Sequence, residues 1–526
     1  MTAGSDGGHI AVDKSLMIAA DRVELTAAQG EISSDGGLVA APTVYGRAFG
    51  DITAALDTSE IDFESTGAGD ITLTNWGDAT LSHVATADGA IDIEALGSLA
   101  ALDVEARGSS ASNSIVLTTH QFGANSGDLH AGNIRTPDLG DVDLQVAGAL
   151  TAGTTPIVAD HLSIDAASSV SVNTSVRLAA ITTRATGDVA VHQSNTRKLT
   201  IADTRVMNGS LSVTHPNGDV ELAGAVVATN DDTHDITVVA GGDILVGFAS
   251  AGEYYASAAD VPAPTSGAQP GATSRGDISL TAGGQIRASD SPSAVMLVVD
   301  DLTVHAQTGI SGLAVAANRL LDVSTATGSI ELRDVDGQAE TRRELIVESA
   351  SAAGGSVTIV AQGYLDIRRV VATGVGGAAR LQSTTGDVLI ERPGTGSAIT
   401  VSSGIAVDAA RGLQSYAFFT APDLIEYRAG DYFDFDLTTS SLGIPSSLTS
   451  QSIVLERRSG LVIDQPLNVQ AKRFELSTDG NLFVRSDITG SIDQVVMAAR
   501  GTHPVLSQTY NSTTGQLEWV NEASGE

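Results

Sequence analysis

Apolar and polar residues alternate in short runs along nearly the whole chain, and the runs come in pairs around a small turn. Ile61-Asp62-Phe63 leads to Gly69-Asp70-Ile71-Thr72-Leu73, and Leu211-Ser212-Val213 leads to Gly218-Asp219-Val220-Glu221-Leu222. Ile236-Thr237-Val238 precedes Gly242-Asp243-Ile244-Leu245-Val246, and Leu321-Asp322-Val323 precedes Gly328-Ser329-Ile330-Glu331-Leu332. A period of two places Ile, Leu and Val on one face and Thr, Ser, Asp or Glu on the other, which predicts β-strands. The alternation runs from Ile10 to Val496, so the chain is expected to be almost wholly β.

The corner glycines give the length of the repeat. Gly50, Gly69 and Gly89 are 19 and 20 residues apart, and Gly127 follows 38 later, two such steps. A unit of about 20 residues cannot bury an apolar face alone, whereas stacked coils bury a continuous core. Each strand then pairs with its equivalents roughly 4.8 Å above and below. Glycine is expected to supply a left-handed or bulged corner, and the Asp after it to bond its own backbone in an Asx-type turn. Tandem immunoglobulin-like sandwiches would need a period near about 100 residues and a buried Trp in each. The pattern therefore predicts a right-handed parallel β-helix, a β-solenoid with inserted loops, on the order of 100 Å long for some 20 coils.

Two stretches interrupt the period. Residues 252–275, rich in Pro, Ser and Gly, read as an exposed loop that carries Tyr254 and Tyr255. Of the 20 aromatic residues, 11 lie in 416–526. The expected organisation is thus a solenoid over 1–415 and, over 416–526, an aromatic-richer continuation or embedded subdomain.

Charge narrows the function. With 63 acidic and 28 basic residues, the net charge is −35, and lysine occurs only at 14, 198 and 472. Such a surface does not track phosphates, so nucleic acid is not an expected partner. No apolar run reaches the roughly 18 residues that suggest a membrane span. Cysteine is absent, which excludes disulfides and thiolate chemistry. The first residues show no signal peptide, and strands are already running by Ile10 and Val12, so a piece of a longer chain is expected.

At Ile278-Ser279-Leu280-Thr281-Ala282-Gly283-Gly284-Gln285-Ile286 and Val23-Glu24-Leu25-Thr26-Ala27-Ala28-Gln29-Gly30-Glu31-Ile32 the chain resembles the repeats of filamentous-haemagglutinin-like exoproteins. It is also similar to the giant β-strand repeat proteins of bacterial surfaces. The resemblance implies an extracellular or cell-surface β-helix used for adhesion or as a structural fibre.

Candidate chemistry is sparse. The sequence holds no nucleophile elbow, zinc-binding helix or phosphate loop, and its ten histidines are expected to be solvated on polar strand faces. Calcium wants several oxygens around a turn, and Asp431, Asp434 and Asp436 after Gly430 offer that spacing. Asp300-Asp301 and Asp231-Asp232 are weaker versions. An enzymatic β-helix, a polysaccharide lyase or hydrolase, would need carboxylates and a base on one face of adjacent coils. Asp231, Asp232, His234 and Asp235 form one such group, and Asp334, Asp336, Arg342 and Arg343 another. Arg275-Gly276-Asp277 spells an integrin-type tripeptide but falls on an ordinary corner. Asn173, Asn208 and Asn511 head glycosylation triplets, relevant only in a compartment that glycosylates.

These readings together predict a non-enzymatic structural or adhesive segment of a surface protein, with no catalytic residues. Ca²⁺ is the candidate cofactor. Cell-surface glycans or neighbouring copies are the expected partners. End-to-end assembly is expected through terminal strands such as Gln516-Leu517-Glu518-Trp519-Val520.

Overall fold

Strands formed by the alternating runs pair in parallel with their own equivalents one repeat later. In a computed structural model, Ile52 stands opposite Ile71, Ile71 opposite Ile91, Ile91 opposite Ile115, Ile115 opposite Val142 and Val142 opposite Leu162. A second interior column runs Leu73, Ile93, Leu117, Leu144, Ile164 and Ile181. All of these side chains are buried, none more than 2% exposed. Like-on-like stacking of branched aliphatic residues is what a pleated surface at strand spacing accommodates best. The chain is therefore all-β, a parallel β-solenoid of about 19 turns, as its alternation predicts.

The structure describes the chain apart from residues 1, 4–7, 13–15, 18–20, 109–112, 124, 137–139, 230–232, 253–274, 291–293, 336–343, 392–397, 418, 436–447, 464–466, 485–486, 500–505, 512–515 and 522–526. Nearly all of the Pro-rich stretch 252–275 lies outside the described residues. The chain divides into two compact units, Met1–Ser257 and Ala258–Glu526. No described helix is long and apolar enough to cross a membrane.

In the first unit, one wall stacks Ile71–Asn75, Ile91–Ala95, Ile115–Thr119 and Val142–Val146. The other stacks Glu60–Ser65, Ala79–Thr86, Leu99–Ala106 and Leu129–Arg135. The register of Ala79–Thr86 shifts between Leu81 and His83, so one strand bends into two straight segments. A coil thus has three short segments rather than the two that the sequence pattern suggests. In the second unit they are separate strands: Glu344–Val347, Ala350–Ala352 and Val357–Ala361 are followed one coil later by Tyr364–Ile367, Val370–Ala372 and Ala379–Ser383. The ladder passes through residue 416 without a break, since Gly404–Ala409 pairs with Leu424–Ala429 and that with Leu448–Arg457. Tyr427 and Phe419 are buried there.

Two expectations about the corners are corrected. Gly50, Gly69 and Gly89 have no positive φ; among the corner glycines named above, only Gly127 does. At Gly69 and Gly89 the requirement is space. A Cβ on Gly69 would lie 2.3 Å from the carbonyl carbon of Gly50, and one on Gly89 2.3 Å from the oxygen of Gly69. Nor does the following Asp fold back on its own backbone. Asp51 Oδ1 accepts the N–H of Asp70 at 3.0 Å, and Asp70 Oδ1 that of Ala90 at 2.8 Å. Asp128, Asp188, Asp219 and Asp387 do the same toward Ala149, Ser210, Asp243 and Gly412. Each corner residue thus satisfies a backbone donor in the next coil, where the ladder turns away from its own partner. Serine substitutes for Asp in the same geometry: Ser98 Oγ accepts the N–H of Asp128, and Ser210 Oγ that of Asp235. The alternation Asp78, Ser98, Asp128 keeps like charges from stacking in every coil.

Inside, the polar exceptions also serve the turns. Buried Asn75 donates to the carbonyls of Thr58 and Gly77 and accepts the N–H of Thr58, each at 3.1 Å. Buried Gln193 accepts from Thr174 Oγ1 and the Val176 N–H, and donates to the Val176 carbonyl. His215 is fully buried with Nε2 at 2.7 Å from the Arg197 carbonyl, against the expectation of a solvated ring. At the far end, Gln516–Asn521 is not an open solenoid strand. It pairs antiparallel with Leu506–Asn511, which satisfies one of its two edges.

Gly69→Ala should destabilise the protein by about 1–3 kcal/mol through overpacking. Gly50→Ala, whose Cβ would meet nothing nearer than 3.5 Å, should change stability by no more than about 0.5 kcal/mol. Equal urea midpoints for the two variants would show that corner space is not what selects glycine. Asp70→Ala should cost about 0.5–1.5 kcal/mol, at the low end because water can reach the freed N–H, while Asp70→Asn keeps an acceptor and costs less. Equal losses for both would contradict the inter-coil acceptor role.

Candidate functional site

The residues singled out from sequence do not converge on one site. Asp431 is exposed, its N–H donating to the Arg411 carbonyl at 2.7 Å, and Asp434 stands on the strand Tyr432–Phe435 opposite Gln414. Asp436 lies outside the described residues, as do Asp231 and Asp232 of the second group and Asp336, Arg342 and Arg343 of the third. Asp235 is used at a corner, its N–H on Ser210 Oγ, and Asp334 is buried at the end of its strand. Arg275 of the integrin-type tripeptide is 5% exposed and donates to the Ala316 carbonyl at 3.1 Å, so the tripeptide is not displayed.

Asp300 and Asp301 do gather with a third carboxylate, Asp277, with one oxygen of each within 4.8 Å of the others. Each already has a protein partner. Asn318 donates to Asp300, Arg319 Nε donates to Asp301 Oδ1 at 2.7 Å, and Asp277 Oδ1 accepts the Asp301 N–H at 3.1 Å. Further along the same strands an open depression of about 350 Å³ is lined by Thr281, His305, Gln307 and Ser324.

Two outward walls bring charges together on adjacent coils, and neither was found from sequence. In the first unit, the register aligns Asp62 with His83 and Asp103 with Asn133, while Glu64 and Glu105 flank Ala85. His83 Nδ1 lies 2.7 Å from Asp103 Oδ2, and Asn133 Nδ2 donates to Asp103 Oδ1 at 2.7 Å. Arg47 pairs with Asp62 at 2.8 Å and Glu64 at 3.2 Å; Arg107 bridges Glu64 and Glu105. Burial pushes the Glu105 carboxyl up, but Arg107 and Arg135 outweigh that and hold it below the usual range. Acids and arginines here neutralise one another across coils, which suits a fastening rather than a reactive centre.

The second wall, in the second unit, is different in balance. Asp366 points away from the core, between inward Leu365 and Ile367, yet is only 2% exposed. Along the ladder it stands between Ile346 and Leu389. Glu344 is a hydrogen-bond partner of its carboxyl, and Glu391 acts on it from the following coil. Arg368 Nε is 3.6 Å away, too far for a good bond, while Arg368 Nη1 is engaged by Glu348 at 2.5 Å. Burial, then Glu391 and Glu344, push the Asp366 carboxyl up to about 7, against a smaller opposing pull from Arg368. Burial also raises the Glu344 carboxyl and the Tyr364 hydroxyl. A carboxyl that holds its proton near neutrality beside a second carboxylate has the elements of an acid–base pair.

The sequence offers only a faint signal for this wall: Leu365-Asp366-Ile367 is an ordinary alternation, and its acidic neighbours are 22 and 25 positions away. No protein family matches the chain, and neither a curated protein nor a solved structure does.

Proposed function

We propose that this chain is a non-enzymatic structural or adhesive segment, a rod-like β-solenoid carried outside the cell or at its surface. The observation that supports this reading is the repeated parallel pairing of equivalent strands from coil to coil, with the acids of the first unit's charged wall already bonded to arginines, His83 or Asn133. Such faces make many weak contacts whose strength comes from repetition and effective concentration. The acidic surface disfavours polyanions, so neutral glycans are its partners in this reading, and other copies of the chain where salt screens the charge. Calcium belongs to the same reading, at Asp431, Asp434 and Asp436, the last of which lies outside the described residues.

A carbohydrate-active β-helix is the second reading, favoured by one observation, the wall of Glu344, Asp366, Glu391 and Arg368 on adjacent coils. The 2% exposure of Asp366 weighs against contact with a polymer. Incubation with neutral and acidic polysaccharides decides between the two. No new reducing ends or unsaturated products are expected, together with retention on at least one immobilised neutral glycan. Cleavage that Asp366→Asn and Glu391→Gln abolish would replace the first reading by the second.

For calcium, millimolar Ca²⁺ should raise the calorimetric midpoint relative to chelator at low ionic strength, and Asp431→Asn should reduce that rise. Superimposable transitions with and without Ca²⁺ would remove calcium from the proposal.

A further inference from the structure

The wall around Asp366 is unlike the other charged wall because its charges do not balance. Among the described residues, the groups that face Asp366 come from three successive coils. Glu344 and Glu348 lie on the coil before, Tyr364 and Arg368 on its own, and Asp387 and Glu391 on the coil after. Tyr432 acts on Tyr364 from further along, and Arg319 reaches Glu348 at 3.9 Å. Among the described residues these five carboxyl groups have three arginines near them: Arg368 is drawn to Glu348, Arg319 to Asp301, and Arg411 reaches Asp387 at 4.0 Å. Asp366 Oδ1 is buried and receives no N–H or hydroxyl donor among the described residues. Its neighbours along the ladder, Ile346 and Leu389, offer none either.

An ionised Asp366 would be a buried anion beside two more anions, with one long contact to a cation. That arrangement is costly, and the group avoids it by keeping a proton. The proton then has one good acceptor, the Glu344 carboxylate, which sits on the strand paired with Asp366's own. A carboxyl–carboxylate bond of this kind joins two coils, whereas two bare carboxylates at the same place would push them apart.

We propose that this wall is a proton-operated joint: a proton shared between Asp366 and Glu344 fastens the strand Tyr364–Ile367 to the strand Glu344–Val347, and its loss lets these coils open locally. The burial that pushes the Asp366 carboxyl up to about 7 sets the range. Below about pH 4, where an exposed Asp is also protonated, the fastening is complete. As pH rises from there toward 7, the open form releases a proton that the closed form keeps, so opening becomes easier by up to about tenfold per pH unit. Above the folded value both forms are ionised and opening levels off. The sign is opposite to that of Glu105, whose carboxyl is held low and whose contribution is lost as pH falls.

Hydrogen exchange on the full chain, expressed as protection factors at each pH, reads the joint directly. Peptides covering 344–348, 364–368 and 388–391 should lose at least about tenfold in protection between pH 5 and 7 and then level off. Peptides from the balanced wall at 60–65 and 99–106 should not follow that curve. Asp366→Asn, which is neutral at every pH and can still donate to Glu344, should flatten the profile. Glu391→Gln removes a charge that favours the protonated form and should move the midpoint to lower pH. A flat wild-type profile, or an Asp366→Asn profile that keeps the wild-type slope, overturns the proposal. If Asp366→Asn does not fold, carboxyl carbon resonances of the wild-type protein give the answer: a carboxyl titrating above pH 6 and lost in Glu344→Gln supports the joint, and none above pH 6 refutes it.

Discussion

Hydrogen bonding between successive coils fixes their separation at roughly 4.8 Å, and each position on a coil must be compatible with the same position one coil away. Where the backbone runs straight, this favours identical branched side chains stacked on one another, as in the column Ile52, Ile71, Ile91 and Ile115. At turns such as Gly69 and Gly89, the same separation leaves no room for a Cβ. The hypothetical contact of 2.3 Å between Gly69 and the Gly50 carbonyl carbon is the ladder spacing expressed at a corner. Glycine is selected there by its neighbour in the next coil rather than by its own dihedral angles.

The corner also interrupts the backbone ladder, and a donor left without an acceptor at every turn would accumulate cost with each coil. Asp and Ser meet that need because their short side chains reach along the stacking axis to the next coil's N–H. From inside, buried Asn75 and Gln193 accept the N–H groups of Thr58 and Val176 on the preceding coil. Part of the acidity of this chain therefore has a structural origin: corner aspartates such as Asp51, Asp70 and Asp128 are acceptors in a stack with too few backbone acceptors at its corners. The scarcity of aromatic side chains has a related cause, since narrow coils filled by aliphatic layers have little space for rings.

Charge is managed differently on the two outward walls. Around Glu64 and Glu105, arginines from neighbouring coils close every ion pair. Among the described residues around Asp366, the acids outnumber the arginines and a proton takes the place of a cation. The two walls rest on the same scaffold, so the difference lies in side chains alone. A repeat that tolerates substitution on its outward face can acquire a titrating group without disturbing its core.

The sequence by itself determined the fold class and the length of the repeat, because period-two alternation and glycine spacing are local signals that any coil of this size must show. It also located the corners, at pairs such as Gly69-Asp70 and Gly242-Asp243. It did not reveal what those residues do there, since the partner of Asp70 is Ala90 and the obstacle to a side chain at Gly69 is Gly50, each about one coil distant. The third segment of each coil was hidden for a similar reason: a bulge at Leu81–His83 leaves the alternation almost intact while turning the chain. Dense local groups such as Asp231, Asp232 and His234 looked like chemistry in one dimension. The groups that the tertiary structure joins, Glu344 with Asp366 and Glu391, are spaced by coils instead. Only stacking decides which residues one turn apart become neighbours, because loop lengths vary from coil to coil and register is fixed by pairing, not by counting.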